Sequence, residues 1–302
     1  MRTLCGDDAI RFMKNLSPHL PTTIIHPQTR EWIPESFESF LQELHHLVKS
    51  SHEAKAAGLF RGHSQRQWSL DSTFARSFKT TLFGVRADET LSRRIVESAE
   101  CHLAVLNLYL LKFGVLTHPS EELEAAAHEH GLDSWFEWMK RLQQYPAEDG
   151  FFLKGTNLLD WTTSADVALY FANENRAGDG AIYFCDATAT GKTQQVIPVA
   201  QILNKMRKLG NAGSPMGAPL LFCPPRQILN PRPKNQQVIY FAQMDLRYDL
   251  ETIWRLREAA LENETIVVKL VLPAGTEAPA KEYLIEKGLS RALIFPDEQI
   301  AA

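Results

Sequence analysis

The pattern of apolar and polar positions changes period several times along the chain. From Ser36, apolar residues recur at Phe37, Phe40, Leu41, Leu44, Leu47 and Val48, the stripe of an amphipathic helix running to about Ala57. Gly58 ends it, and Leu59-Phe60-Arg61-Gly62-His63 reads as a short strand entering a turn. Leu91, Ile95, Ala99, Leu103, Leu106 and Leu110 predict a helix over residues 88–113, apolar on nearly every side after His102 and therefore buried. A further helical stretch, Ser120 to Gln144, breaks at Gly131, and its Trp135, Phe136, Trp138 and Met139 fit a core better than a cofactor site.

The centre of the chain changes period within a few residues. Leu158 and Leu159 are extended, Asp160-Trp161-Thr162-Thr163-Ser164 is a polar corner, and Val167, Ala168, Phe171 and Ala172 then share one helical stripe. Ser164 suits the N-cap and Asp166 the first turn, so the reading is strand, polar corner, buried helix. The unpaired N–H groups at such a helix start can hold an anion. Beyond it, strands are predicted at Ala181–Cys185, Leu220–Cys223, Gln237–Ala242 and Thr265–Leu272, with helices near Pro198–Leu209, Leu250–Leu261 and Pro279–Lys287 and a Gly/Pro-rich loop over Gly210–Pro219. A helical first half and a strand-rich second half predict an α+β fold, an N-terminal helical layer packed on a mixed sheet. Residues 1–57 are expected to form an N-terminal arm and amphipathic helix, and 58–302 one domain with a helical insertion at 88–145.

Composition adds limits. With 44% hydrophobic and 23% charged residues the chain can bury a sizeable core, and no apolar run is long enough for a membrane span. Met1 to Leu20 lacks the layout of a secretory signal, and Cys5, Cys101, Cys185 and Cys223 are far apart, so reduced thiols and a cytoplasmic location are expected. The net charge of −4 argues against wholesale nucleic-acid binding, yet residues 187–244 hold seven Lys or Arg and no Asp or Glu. Such a stretch can face phosphate, or can be a solvated basic face. All ten histidines lie between His19 and His130. His128-Glu129-His130 is no metal signature, because its two imidazoles point to different helix faces, and no metal is expected.

Four separated motifs carry a family resemblance: Phe60-Arg61-Gly62 with Trp68, Leu70 and Arg76; Leu158-Leu159-Asp160-Trp161-Thr162 with Val167-Ala168-Leu169-Tyr170-Phe171-Ala172; Arg232-Pro233-Lys234-Asn235-Gln236; and Phe295-Pro296-Asp297. In this order they resemble the FRG domain family over about Leu59 to Ile300. Family members usually have a His-containing segment before the central motif; here Phe151-Phe152-Leu153-Lys154-Gly155-Thr156 stands in its place.

The order of motifs is also remotely similar to that of ADP-ribosyltransferases, with an early-strand Arg, a Ser/Thr corner opening a helix, and a later strand with the third site residue. The resemblance implies a sheet of that fold, NAD as substrate, and Arg61, Asp160, Thr162, Ser164 and Gln236 as catalytic groups. Arg61 would pair with the dinucleotide phosphates, assisted by Gly62 and Thr163, while Trp161 or Tyr170 would stack on the nicotinamide. Thr162 and Ser164 would orient the ribose or brace Gln236. Gln236 is neutral where active transferases carry a carboxylate, and Asp160 is the candidate to supply that charge. Two plainer roles stand beside these: Asp160 as a cap of backbone N–H groups at its corner, and Arg61 as its buried ion-pair partner. The functional expectation is an NAD-consuming bacterial effector or toxin that modifies a protein or nucleic acid through the basic stretch, in anti-phage defence and opposed by an antitoxin. The alternative is a non-catalytic nucleotide- or nucleic-acid-binding module.

Overall fold

A computed structural model describes residues 31–53, 58–86, 98–186, 193–194, 201, 204–206, 208, 220–222, 228–229, 231–260 and 265–299. The strands are β1 (Glu31–Trp32), β2 (Gly58–His63), β3 (Leu158–Thr162), β4 (Gly180–Asp186), β5 (Thr193–Gln194), β6 (Leu220–Phe222), β7 (Val238–Ala242) and β8 (Val267–Leu272). The helices used below are α1 (Phe37–Glu53), α2 (Thr73–Phe83), α3 (Ala99–Leu111), α4 (Glu121–Glu129), α5 (Ser134–Gln144), α6 (Ala165–Asn173), α7 (Pro231–Asn235), α8 (Leu250–Ala260), α9 (Glu277–Glu286) and α10 (Arg291–Ile294). The strands join in one mixed sheet in the order β1-β8-β4-β2-β3-β7-β6-β5, parallel at β1–β8 and β5–β6 and antiparallel elsewhere.

Side-chain alternation along the strands sorts the core into three parts. α1, α6 and α9 cover β2, β4 and β8 through residues such as Phe40, Leu44, Phe60, Ala168 and Leu270. α2, α3 and α5 cover β3 and β7 through Phe74, Tyr109, Phe136, Leu158 and Tyr240. Phe60 lies opposite Thr162, and Thr162 shares the face of Leu158, so these two helical groups sit side by side on one face of the sheet. α8 closes the other face, where Trp254 packs with Leu59, Trp161, Tyr183 and Phe241.

The expected helices of the N-terminal half are present, with the break at Gly131 separating α4 from α5. α3 runs on into a π-helical turn, Lys112–Leu116. α2 is an element that the periodicity reading left out. Ser72 caps it, accepting from the Ala75 N–H, and Phe74, Ala75, Phe78 and Leu82 form its buried stripe. Of the helix expected over 198–209, residues 201, 204–206 and 208 are described and helical; the loop over 210–219 lies outside the described residues. So do residues 88–97, Cys5, Cys223, Lys192, Arg207 and Arg226. Cys101 and Cys185 are buried free thiols. Among the described residues no single helix is long and apolar enough to cross a membrane.

Candidate functional site

The sheet parts at its centre. β2 runs alongside β4 over its whole length, and β3 alongside β7, but β2 and β3 meet at one register pair, Phe60 opposite Thr162. Arg61 spans the gap beyond that pair. Its Nη1 donates to the Asp160 carbonyl oxygen, and its Nε donates to His63 Nε2 at 3.0 Å. The side chain thus substitutes for the missing ladder bonds between the two strands. Burial lowers its pKa to about 10, with Asp160 opposing the shift and Arg76 adding to it.

A cavity of about 290 Å³ opens at this parting. Arg61, Gly62, Asp160, Thr162 and Gln236 line it, so the structure gathers residues far apart in sequence around one space. Trp161 also borders it, whereas Thr163, Ser164 and Tyr170 do not. The cavity also takes residues that the sequence reading did not name as site groups: Gln143 and Gln144 at the end of α5, Phe171, Arg232 and Phe295. Arg232 and Phe295 belong to the quoted motifs and could have been included; the two glutamines look like any polar helix end.

Asp160 is open to the cavity yet lies deep in the protein. Burial raises its pKa, while Arg61 and Lys140 pull it back down. Its carboxylate makes no hydrogen bond or ion pair among the described residues, and Arg61 reaches its backbone carbonyl instead. Both plainer roles are therefore corrected: Asp160 caps no N–H group, and Arg61 does not form a direct ion pair with it. Lys140, buried on α5, pairs with Glu137 at 2.7 Å and brings positive potential to the same place.

Several expected ligand contacts are replaced by internal ones. A Cβ on Gly62 would stand 1.9 Å from the Ala168 carbonyl oxygen and 2.6 Å from the Ala172 nitrogen. The missing side chain makes room for the backbone of α6, not for a phosphate. Thr162 Oγ1 donates to the Gln236 carbonyl at 2.7 Å and accepts from the Ser164 N–H at 3.0 Å. Ser164 Oγ accepts from the Val167 N–H as the N-cap of α6. Thr163 bonds to Gln237, its hydroxyl to Gln237 Oε1 at 3.0 Å. The Thr162 and Thr163 hydroxyls join the corner to the turn before β7, and Thr162 braces the Gln236 backbone rather than its side chain.

The stacking roles are also corrected. Trp161 is 1% exposed and packs edge-on between Phe241 and Trp254, with ring centroids 5.5 and 5.6 Å away. Tyr170 turns to a second cavity near Glu174 and Leu284. Successive helix residues differ in direction by about 100°, and it is Phe171 that faces the first cavity, edge-on to Phe295 at 6.1 Å.

One wall of the cavity is a clamp between the two last motifs. Arg232 Nε donates to Asp297 Oδ1 at 2.5 Å, Asn235 Nδ2 to the Leu293 carbonyl at 2.8 Å and Gln236 Nε2 to the Ile294 carbonyl at 3.0 Å. Tyr145, just past α5, donates to Asp297 Oδ2 at 3.0 Å. The entry to β3 is fixed by a buried cation: Lys112 Nζ donates to Asp149 Oδ2 and to the Leu153 and Gly155 carbonyls at 2.6 to 2.9 Å. This network sets residues 151–156, the segment standing where the resemblance implied a His-containing stretch.

The model of the FRG domain matches residues 56–180. Arg61, Asp160 and Thr162 lie inside that stretch; Arg232, Gln236 and Phe295 lie beyond it. No curated protein and no solved structure matches the chain.

Proposed function

With residues 56–180 an FRG domain, we propose that the cavity binds NAD and that the protein breaks its nicotinamide–ribose bond, passing ADP-ribose to a macromolecule or to water. The observation that carries this reading is the Asp160 carboxylate, which lines the cavity without a hydrogen-bond or ion-pair partner among the described residues and is the one carboxylate of its lining, beside Arg61, Arg232 and the aromatic rings of Phe60, Phe171 and Phe295. Arg61 beside it keeps its Nη2 group without a partner among the described residues, a charged donor for a phosphate oxygen. The volume is at the small end for ligand pockets, suited to one nucleoside half of a dinucleotide. A sheet that parts beside a Ser/Thr corner opening a helix supports likeness to the ADP-ribosyltransferase fold.

The chemistry balances without a metal or a redox partner. The bond from ribose C1′ to the pyridinium nitrogen breaks, and its electron pair leaves with nicotinamide. The positive charge left on the ribose is opposed by the Asp160 carboxylate, the group best placed to stabilise it. A nucleophilic oxygen or nitrogen of the acceptor then bonds to C1′ and releases its proton to water. Lys205, Lys208 and Lys234 are exposed members of the basic stretch and suit a nucleic-acid or acidic acceptor.

One observation favours the second reading, a binding module without turnover. Gln236 brings no charge, and its Nε2 already donates to the Ile294 carbonyl. Incubation with labelled NAD and cell lysate, followed by separate protease and nuclease digestion, tests both. Nicotinamide release with label on protein, nucleic acid or free ADP-ribose supports the first reading. Binding of NAD without release, with or without lysate, favours the second.

A further inference from the structure

Arg61 and His63 stand two residues apart on β2, so their side chains leave the same face of the strand. Arg61 Nε donates to His63 Nε2 at 3.0 Å, and the imidazole is buried, edge-on to the rings of Trp68 and Tyr183 at 6.0 and 5.3 Å. We infer that His63 is a positioning residue: it holds the guanidinium in the parting between β2 and β3, so that Arg61 meets the ligand in a fixed orientation. This rests on the reading that the cavity takes NAD.

The geometry dictates the proton. Nε2 can accept only when it carries no hydrogen, so the imidazole is neutral with its proton on Nδ1. The surroundings hold it so. Burial drives its pKa well below the ordinary histidine range, and Arg61, Arg76 and Lys269 push the same way, with the Trp68 backbone opposing; the buried Nδ1 has no hydrogen-bond partner among the described residues, so a second proton would gain none there. Tyr183, whose ring meets the imidazole, is kept protonated by burial and by the nearby Glu251. With Nε held by His63 and Nη1 by the Asp160 carbonyl, the guanidinium plane is fixed at two points before any ligand arrives. Such preorganisation improves binding by lowering the ordering cost.

The test pairs a ligand-free readout with a kinetic one. In the NMR spectrum of the wild type the Arg61 Nε–H is expected to be slow to exchange near neutral pH, to quicken in His63→Leu, and to be slow again in His63→Gln, whose amide oxygen can accept. For nicotinamide release, His63→Leu should raise KM for NAD about tenfold or more, the loss of one charged hydrogen bond, with a smaller effect on kcat, and His63→Gln should recover most of it. A fast-exchanging Arg61 Nε–H in the wild type overturns the proposal, as does a KM unchanged in His63→Leu. A protected Nε–H that quickens in His63→Leu and is slow again in His63→Gln, in a protein that neither binds nor cleaves NAD, upholds the His63–Arg61 coupling and instead removes the NAD reading.

Discussion

Thr162 and Gln236, 74 positions apart, are joined by a 2.7 Å hydrogen bond from the Thr162 hydroxyl to the Gln236 carbonyl. The bond fastens the end of β3 to the turn before β7, beside the cavity that both residues line. It also means that the hydroxyl expected to meet the ribose is already engaged by the protein. What remains unengaged there is the Asp160 carboxylate.

Asp160→Asn is expected to reduce nicotinamide release by about a hundredfold or more, the scale of a lost transition-state electrostatic contact. Stability should not fall, because the carboxylate makes no bond to the protein and burial disfavours its charge. Initial rates and thermal midpoints of the two proteins check this. A variant of full activity, or one that melts well below the wild type, would refute the assigned role.

Gly62→Ala should destabilise the protein by about 3 kcal/mol or more, the upper end of overpacking costs. The atoms in its way are backbone atoms of α6 and cannot swing aside. Denaturant unfolding measures the loss. An unchanged midpoint with weakened NAD binding alone would return Gly62 to a ligand-contact role.

Gln236→Glu should not create a better catalyst. Gln236 Nε2 donates to the Ile294 carbonyl, and a carboxylate would set two acceptors against each other. The expected cost is about 1–3 kcal/mol, that of an unsatisfied buried polar group. It should appear as faster amide exchange over residues 290–297. Faster nicotinamide release with unchanged exchange would contradict this account of the glutamine.

Glu251 predicts a pH dependence. Burial and the neighbouring Asp249 raise its pKa to about 7, against the pull of Lys269, Arg255 and Tyr183. Unfolded, it would titrate at about 4.3. Because the folded pKa is the higher, stability from the protonated form is complete below the unfolded pKa and is lost as pH rises towards about 7. Glu251→Gln, which still offers an oxygen to the Tyr183 hydroxyl, should flatten that decline. Thermal midpoints across the acid-to-neutral range compare the two; parallel curves would remove Glu251 as the cause.

Much of the scaffold was legible from local pattern. The stripe Phe37, Phe40, Leu44 and Leu47 and the capped helix after Ser164 are properties of neighbouring residues, and local residues set them. The four motifs likewise marked where the site residues would come from, because Arg61, Asp160, Gln236 and Phe295 all stand within them. What the sequence could not carry was direction. Tyr170 and Phe171 are adjacent aromatics, and only the seating of α6 against Gly62 turned the second towards the cavity. Trp161 looked like a stacking group until α8 placed Trp254 against it. Asp160 looked like a cap until the other hydrogen-bond donors of the corner found partners elsewhere. The sequence by itself determined which segments would be strand, corner and helix, since those depend on short-range periodicity. The tertiary structure alone decided which side chains would remain unspent in the gap between β2 and β3, since that depends on partners from β7, α5 and the Phe295 segment, far away along the chain.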